Sequence, residues 1–404
     1  MLSRNFYNSK KTPLSIFLFT PSLLIFPSIF HGYFNFSSFA FGLFFATFVI
    51  FIVIGRFYYV DFSFLVLIFF FAVHLFFSFL FFDLNYKALF SFVPFLFLVY
   101  SSYLFSRYLF YSPHFFLAFE RSISWVLFLF LFIGVVTIFS GFEFGKFFYN
   151  THKPMFPFKE PSHYALAFSP LYGFFVLRSG AFISLCVFLV AFLIALLAQS
   201  FVLLVVATSF YLLSIANKIF FIPVFFAVIF AVFLLVLTNN YFYERVLFDI
   251  SSDNLTALVY LQGVQDAYNS IVNTYGIGLG FQMLGSQDPS YAHYRILEVR
   301  GTVETGAGLN RYDGGFLAAK IIAEFGVFGI FFSCYYLYLM IFSCFVFFKQ
   351  NDFEIRKMNP LTVFSFVCII SFSFEFFIRG VGYFSPGFFL FMLSFFYLKK
   401  ARFI

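Results

Sequence analysis

The chain holds 404 residues, 63% of them hydrophobic and 10% charged, with a formal net charge of +7 and a mean hydropathy of +0.98. A soluble globular domain carries about 25% charged residues, so this composition excludes one and indicates a polytopic membrane protein. The positive balance falls mostly in short segments between apolar runs and requires no nucleic-acid partner.

Crossing a hydrocarbon core about 30 Å thick takes about 20 apolar residues in a helix. Twelve segments qualify, at 13–30, 38–55, 62–82, 88–105, 122–140, 162–178, 181–198, 200–217, 219–238, 315–348, 359–378 and 382–398. The runs are continuous rather than alternating, which excludes a barrel. Backbone groups in lipid must pair within their own segment, which predicts helices. The expected fold is therefore all-α and polytopic, with 11–12 transmembrane helices. The first run follows Arg4, Lys10 and Lys11, lacks a small-residue cleavage site and contains Pro21 and Pro27, so it reads as a retained span. The tenth is too long for one perpendicular crossing and predicts a short or tilted opening helix carrying Lys320 and Glu324. Residues 1–238 thus hold nine spans and a smaller polar loop at 141–161, residues 239–314 form one large polar loop, and residues 315–404 hold the last three spans and a basic C-terminus. Lysine and arginine favour the cytoplasmic side. Arg56, Arg107, Arg121, Lys349, Arg356, Lys357 and Lys399 all fall on the side of the N-terminus, which puts both termini inside and both polar loops outside. The four cysteines lie in apolar segments and suggest neither a disulfide framework nor a metal site.

The polar loops concentrate the residues that carry chemistry. Lys159-Glu160-Pro161-Ser162-His163 opens the sixth span. Pro161 suits a first helical turn and Glu160 the positive end of the helix dipole, which is a sufficient structural reason for both. Ser162 and His163 add polar groups at the membrane face beside a carboxylate, a set that can bind sugar hydroxyls or move a proton. In the large loop, Asp253-Asn254 forms an N-cap pair for an amphipathic helix over 254–274. Tyr260, Leu261, Val264, Tyr268 and Ile271 recur on it at helical spacing, and such a helix can lie along a membrane surface. It ends at Gly276-Ile277-Gly278-Leu279-Gly280, which lacks the preceding strand of a dinucleotide fingerprint and reads as a tight turn where backbone approaches a partner. Arg245, Arg295, Arg300 and Arg311 offer the planar fork that binds phosphate bidentately. Arg311, in Asn310-Arg311-Tyr312-Asp313-Gly314-Gly315, stands nearest the membrane. Inside spans, Lys320–Glu324 and Glu375–Arg379 are each four residues apart, so each pair can neutralise itself on one helix face; ionisable groups at such depth also mark pathways. His74 reads as a hydrogen-bonded packing residue. The chain has no P-loop, no Gly-x-Ser-x-Gly, no His-Glu-x-x-His and no inner Asp-x-Asp pair. A donor reached from outside must then arrive activated, as a lipid diphosphate does.

Four features together resemble the O-antigen polymerase (Wzy) family. They are Glu160-Pro161-Ser162-His163 opening a mid-chain span, the single large outer loop in the second half, Tyr275-Gly276-Ile277-Gly278-Leu279-Gly280 within it, and Asp313-Gly314-Gly315-Phe316 running into Ile322-Ala323-Glu324-Phe325-Gly326-Val327-Phe328-Gly329. The resemblance covers mainly residues 150–345. It implies a multi-pass glycosyltransferase of the bacterial inner membrane that uses neither metal nor nucleotide and takes no cofactor. A sugar hydroxyl of an incoming polyprenyl-diphosphate-linked repeat unit attacks the anomeric carbon of the growing chain, and polyprenyl diphosphate leaves. Under that resemblance Glu160, with His163 or Asp313, acts on the hydroxyl, while Ser162, Arg245, Arg295, Arg300, Arg311 and Glu324 hold substrate. The partners it implies are the lipid-linked oligosaccharide and membrane lipid, and it leaves open a chain-length regulator. The pattern departs from the family in having no basic residue between Arg245 and Arg295, ahead of the glycine turn. His293 stands outside the context of a ligase-type histidine, which favours polymerase over O-antigen ligase. An exporter of lipid-linked oligosaccharide is the third reading, although the two halves share no visible repeat of the kind common in transporters.

Overall fold

The computed structural model describes residues 13–34, 39–54, 62–81, 86–111, 115–139, 155–215, 251, 253–302, 311–350 and 352–404, with scattered positions between 226 and 243. Among them every extended element is a helix. In chain order these are α1 (Pro13–Tyr33), α2 (Ala40–Ile54), α3 (Phe62–Phe81), α4 (Tyr86–Tyr111), α5 (Phe115–Phe139), α6 (Pro161–Arg178), α7 (Ala181–Leu197) and α8 (Phe201–Leu213). They continue with α9 (Leu255–Asn273), α10 (Tyr291–Arg300), α11 (Leu317–Lys349), α12 (Asp352–Lys357), α13 (Pro360–Phe377) and α14 (Pro386–Lys400). Four stretches are long and apolar enough to cross a membrane: α4, Phe119–Phe139 of α5, α11 and α13. The apolar stretches Phe64–Leu80, Ala181–Leu197 and Phe201–Leu213 are shorter. The ninth expected span, 219–238, lies almost wholly outside the described residues, as do Arg245 and most of the 141–161 loop.

Helix boundaries follow local chemistry. Asn254 caps α9 by accepting from Thr256 N and Ala257 N, Asn359 caps α13 through Leu361 N, and Ser385 caps α14 through Phe388 N. Proline supplies the first helical residue of α6, α13 and α14, where its missing N–H removes no bond. α4 runs past the end of the expected span 88–105, to Tyr111, and α5 begins before the expected span 122–140, at Phe115.

The bundle is organised around α13, which packs against α14, α11 and α6. It is apolar on all sides, and nearly every residue from Leu361 to Phe376 is buried. Lipid is as apolar as these side chains, so helix association here depends on close packing rather than on escape from water. The phenylalanines provide it through ring contacts. Tyr336 of α11 meets Phe372, Phe376 and Phe391 at centroid distances of 5.3, 4.5 and 5.4 Å, and its hydroxyl donates to Ile369 O at 2.8 Å. Each such ring pair contributes roughly 0.5–1.5 kcal/mol beyond its area. Along the rest of α11, Val327, Phe328, Phe331, Tyr335, Tyr338 and Ile341 are exposed, a surface suited to lipid.

α11 is two helices joined at Gly326, whose φ of 55° and ψ of −127° leave the helical region. The short opening helix expected from the length of the tenth segment is therefore present and ends one residue before the break. The break frees carbonyls, and the glycine turn after α9 satisfies them: Leu279 N donates to Ala323 O at 2.9 Å and Gly280 N to Glu324 O at 2.8 Å, while Val327 N donates to Gly276 O at 2.8 Å. The partner of that turn is thus α11 itself. A Cβ on Gly326 would collide with the Gly276 carbonyl. Gly326→Ala is expected to destabilise by about 2 kcal/mol or more, from positive φ and overpacking together, read as a lower melting temperature in detergent.

α9 is amphipathic, with polar residues on its inward face. Gln262, Gly263, Asp266 and Ser270 are buried, the last donating to Ala323 O, whereas Val264, Tyr268 and Val272 are exposed. Tyr260 stacks on Phe316 at 4.3 Å. The buried face of α9 is mixed, with Ala257, Leu258, Val259 and Ala267 packed inward beside the polar residues, and Val264, Tyr268 and Val272 form an outward apolar strip of the kind that can lie in a membrane interface. The second loop helix, α10, has no counterpart in the sequence reading.

Candidate functional site

Glu160 stands at the N-cap of α6 and Pro161 at its first helical position, yet the Glu160 side chain makes no capping bond. It accepts instead from Ser162 Oγ at 3.0 Å and from Arg379 Nη2 at 3.1 Å. The pairing of Arg379 with Glu375 suggested by their four-residue spacing is not made; the arginine leaves the end of α13 and reaches across to α6. Burial works against the charged form of Glu160, and the neighbouring His163 and Arg379 charges with the Ser162 hydroxyl more than offset it, holding the carboxyl down at about 2. His163 follows in the same turn, edge-on to Phe39 at 5.3 Å, with its Nδ1 buried and unbonded.

The Glu160 pair has a pH signature. Its folded value lies below the ordinary 4.5, so the stabilisation is present above that pH and is lost as pH falls toward about 2. With the Glu160 side chain 45% exposed, screening limits the pair to about 1 kcal/mol. Glu160→Gln is expected to flatten the acid side of the melting-temperature profile across that window.

A second cluster surrounds Lys320 and Glu324, which are 1% and 0% exposed. Lys320 Nζ donates to Tyr312 O at 2.7 Å, Gln282 Oε1 at 3.3 Å and Asp313 Oδ1 at 3.4 Å, and lies 3.9 Å from Glu324 Oε1. Glu324 accepts the Tyr383 hydroxyl at 2.6 Å and Leu284 N at 3.4 Å. The two residues therefore do more than neutralise each other: both hold the segment at 282–284, while Lys320 also binds the turn at 312–313 and Glu324 the connection at Tyr383. Lys87, at the start of α4, adds a cation 4.4 Å from the centre of the Tyr312 ring.

The α13–α14 connection joins the two clusters. Arg379 binds Glu160, Gly380 N donates to Gly315 O at 2.9 Å, Gly382 lies against Asp313 Oδ1 and Lys320 Nζ, and Tyr383 reaches Glu324. Gly382 stands three positions after Arg379, so the clusters lie within ~11 Å along the backbone. Three carboxylates (Glu160, Asp313 and Glu324) and three cations (Lys87, Lys320 and Arg379) are thereby grouped at one end of the helices.

Of the loop arginines, Arg295 and Arg311 make bonds within the protein. Arg295 bridges Asp253 and Glu298 at 2.8 Å each on the surface of α10, and Arg300 ends that helix exposed. Arg311 donates to Gly285 O at 3.2 Å and Gln287 O at 3.3 Å, bracing the segment between the two loop helices. Nearby, burial pushes the Asp266 carboxyl above its usual range. His293 is buried with neither ring nitrogen bonded, and burial followed by the Arg311 charge lowers its pKa, as for a neutral packed imidazole. His74 Nε2 lies 3.4 Å from Ile277 O, in keeping with a packing role. Arg379, Tyr383, Gln282 and Lys87 were not selected as site residues from the sequence. Only Arg379 carried a signal there, as a charge at a span terminus, and its partner is 219 residues away. Among the described residues no three His, Cys, Asp or Glu side chains come together to hold a metal ion. In comparison with known proteins the chain matches no family model, no curated protein and no solved structure.

Proposed function

We propose that this protein is an O-antigen polymerase of the bacterial inner membrane, joining polyprenyl-diphosphate-linked oligosaccharide repeat units at the outer face without metal or nucleotide. The observation that carries the reading is the convergence of the Glu160–Arg379 and Lys320–Asp313–Glu324 clusters on one interhelical loop. Transfer to a sugar hydroxyl needs a proton acceptor, positive charge for the leaving diphosphate and an apolar flank for the lipid. His163 suits the first role better than Glu160, because one of its ring nitrogens has no protein partner whereas the Glu160 carboxylate already accepts from Ser162 and Arg379. Asp313, with its side chain 52% exposed beside Lys320, is a second acceptor. Lys87 and Arg379 suit the diphosphate better than Arg295 or Arg311, whose guanidinium groups already serve surface and backbone partners. The outward faces of α9 and α11 supply the apolar flank.

One observation favours an exporter of lipid-linked oligosaccharide instead. α11 is broken at Gly326, two residues after a buried lysine–glutamate pair, and broken helices with ionisable residues recur in transporters. Gene deletion separates the readings. Polymerase predicts a surface lipopolysaccharide ladder that collapses to core plus one repeat unit. Loss of even that unit would contradict it. Long chains left on the carrier would then indicate ligase, and single units trapped inside would indicate the exporter.

A further inference from the structure

Behind the Glu160–Arg379 pair, α1, α6 and the start of α14 enclose a cavity against α13. It measures about 30 Å3 and is lined by Ser28, His163, Glu375, Ser385 and Gly387 among others. On that measure a water needs roughly 10–15 Å3, so the space holds one or two. Two of its walls present polar atoms without a protein partner: His163 Nδ1 and Glu375 Oε1. Glu375 is 2% exposed, and Gly387 is what admits it, because a Cβ there would collide with Glu375 Oε2. A carboxylate and an imidazole nitrogen left dry and unbonded are costly, and polar, roomy sites of this kind are where buried waters sit. The other groups around Glu375 leave its Oε1 unpaired, although the Ser385 hydroxyl stands within hydrogen-bond reach of the carboxylate. Tyr336, from α11, gives its hydroxyl to Ile369 O, and Ser385 Oγ accepts from Phe388 N. Arg379, on Glu375's own helix, is directed to Glu160. His31, Lys159, Glu160 and Arg379 are the charged groups whose fields reach His163.

We infer that an ordered water in this cavity bridges His163 Nδ1 and Glu375 Oε1, and that the two side chains share one proton across it as a buried proton-acceptor site. The chemical role rests on the polymerase reading. There, the acceptor hydroxyl oxygen forms a bond to the anomeric carbon while the bond from that carbon to the diphosphate oxygen breaks, its electron pair leaving with the diphosphate. The hydroxyl proton passes to His163 as the shared proton moves across the water onto Glu375, so that the site then holds two protons, and one of them returns by the same route to the departed diphosphate or to solvent. Glu375 touches no substrate and acts through His163 as a positioning residue.

An infrared pH titration of the purified protein tests the site independently of activity. The expected result is a carbonyl-stretch band of a protonated carboxylic acid that disappears in Glu375→Gln and whose midpoint moves by about one pH unit or more in His163→Gln, the mark of coupled groups. A band that persists in Glu375→Gln, or a midpoint unmoved by His163→Gln, overturns the site. Glutamine is isosteric with glutamate; should Glu375→Gln fail to fold, the midpoint in wild type against His163→Gln decides alone. Polymerisation by Glu375→Gln is expected to fall about tenfold with an altered pH profile. Coupled titration in a protein that forms no polymer would sustain the proton site and defeat the polymerase reading, whereas polymer formation with an uncoupled band would do the reverse.

Discussion

Lys320→Met is expected to destabilise the folded protein by ~3–5 kcal/mol, the penalty for leaving one member of a buried ion pair without its partner. Both side chains are essentially inaccessible. Lys320 also holds Tyr312 O, Gln282 and Asp313, so its removal takes a donor from three loop acceptors as well as from the Glu324 carboxylate. The double variant Lys320→Met/Glu324→Leu is expected to recover much of the loss, since replacing a whole buried pair by apolar side chains of similar volume is often neutral. Thermal unfolding in detergent reads both. Equal destabilisation in the single and double variants would place the effect in packing rather than in the uncompensated charge.

His163→Gln is expected to lower the rate of polymer formation by about 10²-fold or more, the usual contribution of a positioned proton acceptor, with little change in melting temperature. The residue combines three properties: it stands in the first turn of α6, it is next to a carboxylate that Arg379 keeps ionised, and one ring nitrogen lacks a protein bond. Arg295→Ala provides the contrast. Arg295 is held in an exposed surface network by Asp253 and Glu298, so its loss is expected to leave both rate and stability unchanged. A rate that drops with Arg295 and holds with His163 would return the chemistry to the loop arginines.

Local signals were well carried by the sequence. The Asn254 cap, the helix it opens and the excess length of the tenth segment follow from residues within a few turns of each other, and all three appear in the structure. The glycine turn was legible as a close approach, but not its partner, since Gly278 meets the broken α11 through backbone contacts that no side chain announces. The site itself was half legible. Glu160, Ser162, His163, Asp313 and Glu324 were selected for polarity at a membrane boundary and do fall into the two clusters. Arg379 was assigned to Glu375 because spacing along one helix is visible and contact between helices is not. Phosphate-binding geometry was expected of the loop arginines by residue type alone, whereas the hydrogen bonds of Arg295 and Arg311 commit them to carboxylates and backbone carbonyls.

The central claim is tested most directly by placing the purified protein in liposomes with a polyprenyl-diphosphate-linked repeat unit, without nucleotide and with a chelator present, and resolving the lipid-linked products by size. The account predicts a ladder of one-unit steps with release of polyprenyl diphosphate, strongly reduced in His163→Gln. Repeat units that stay single, whether on the side where they were added or carried across the bilayer, would contradict it.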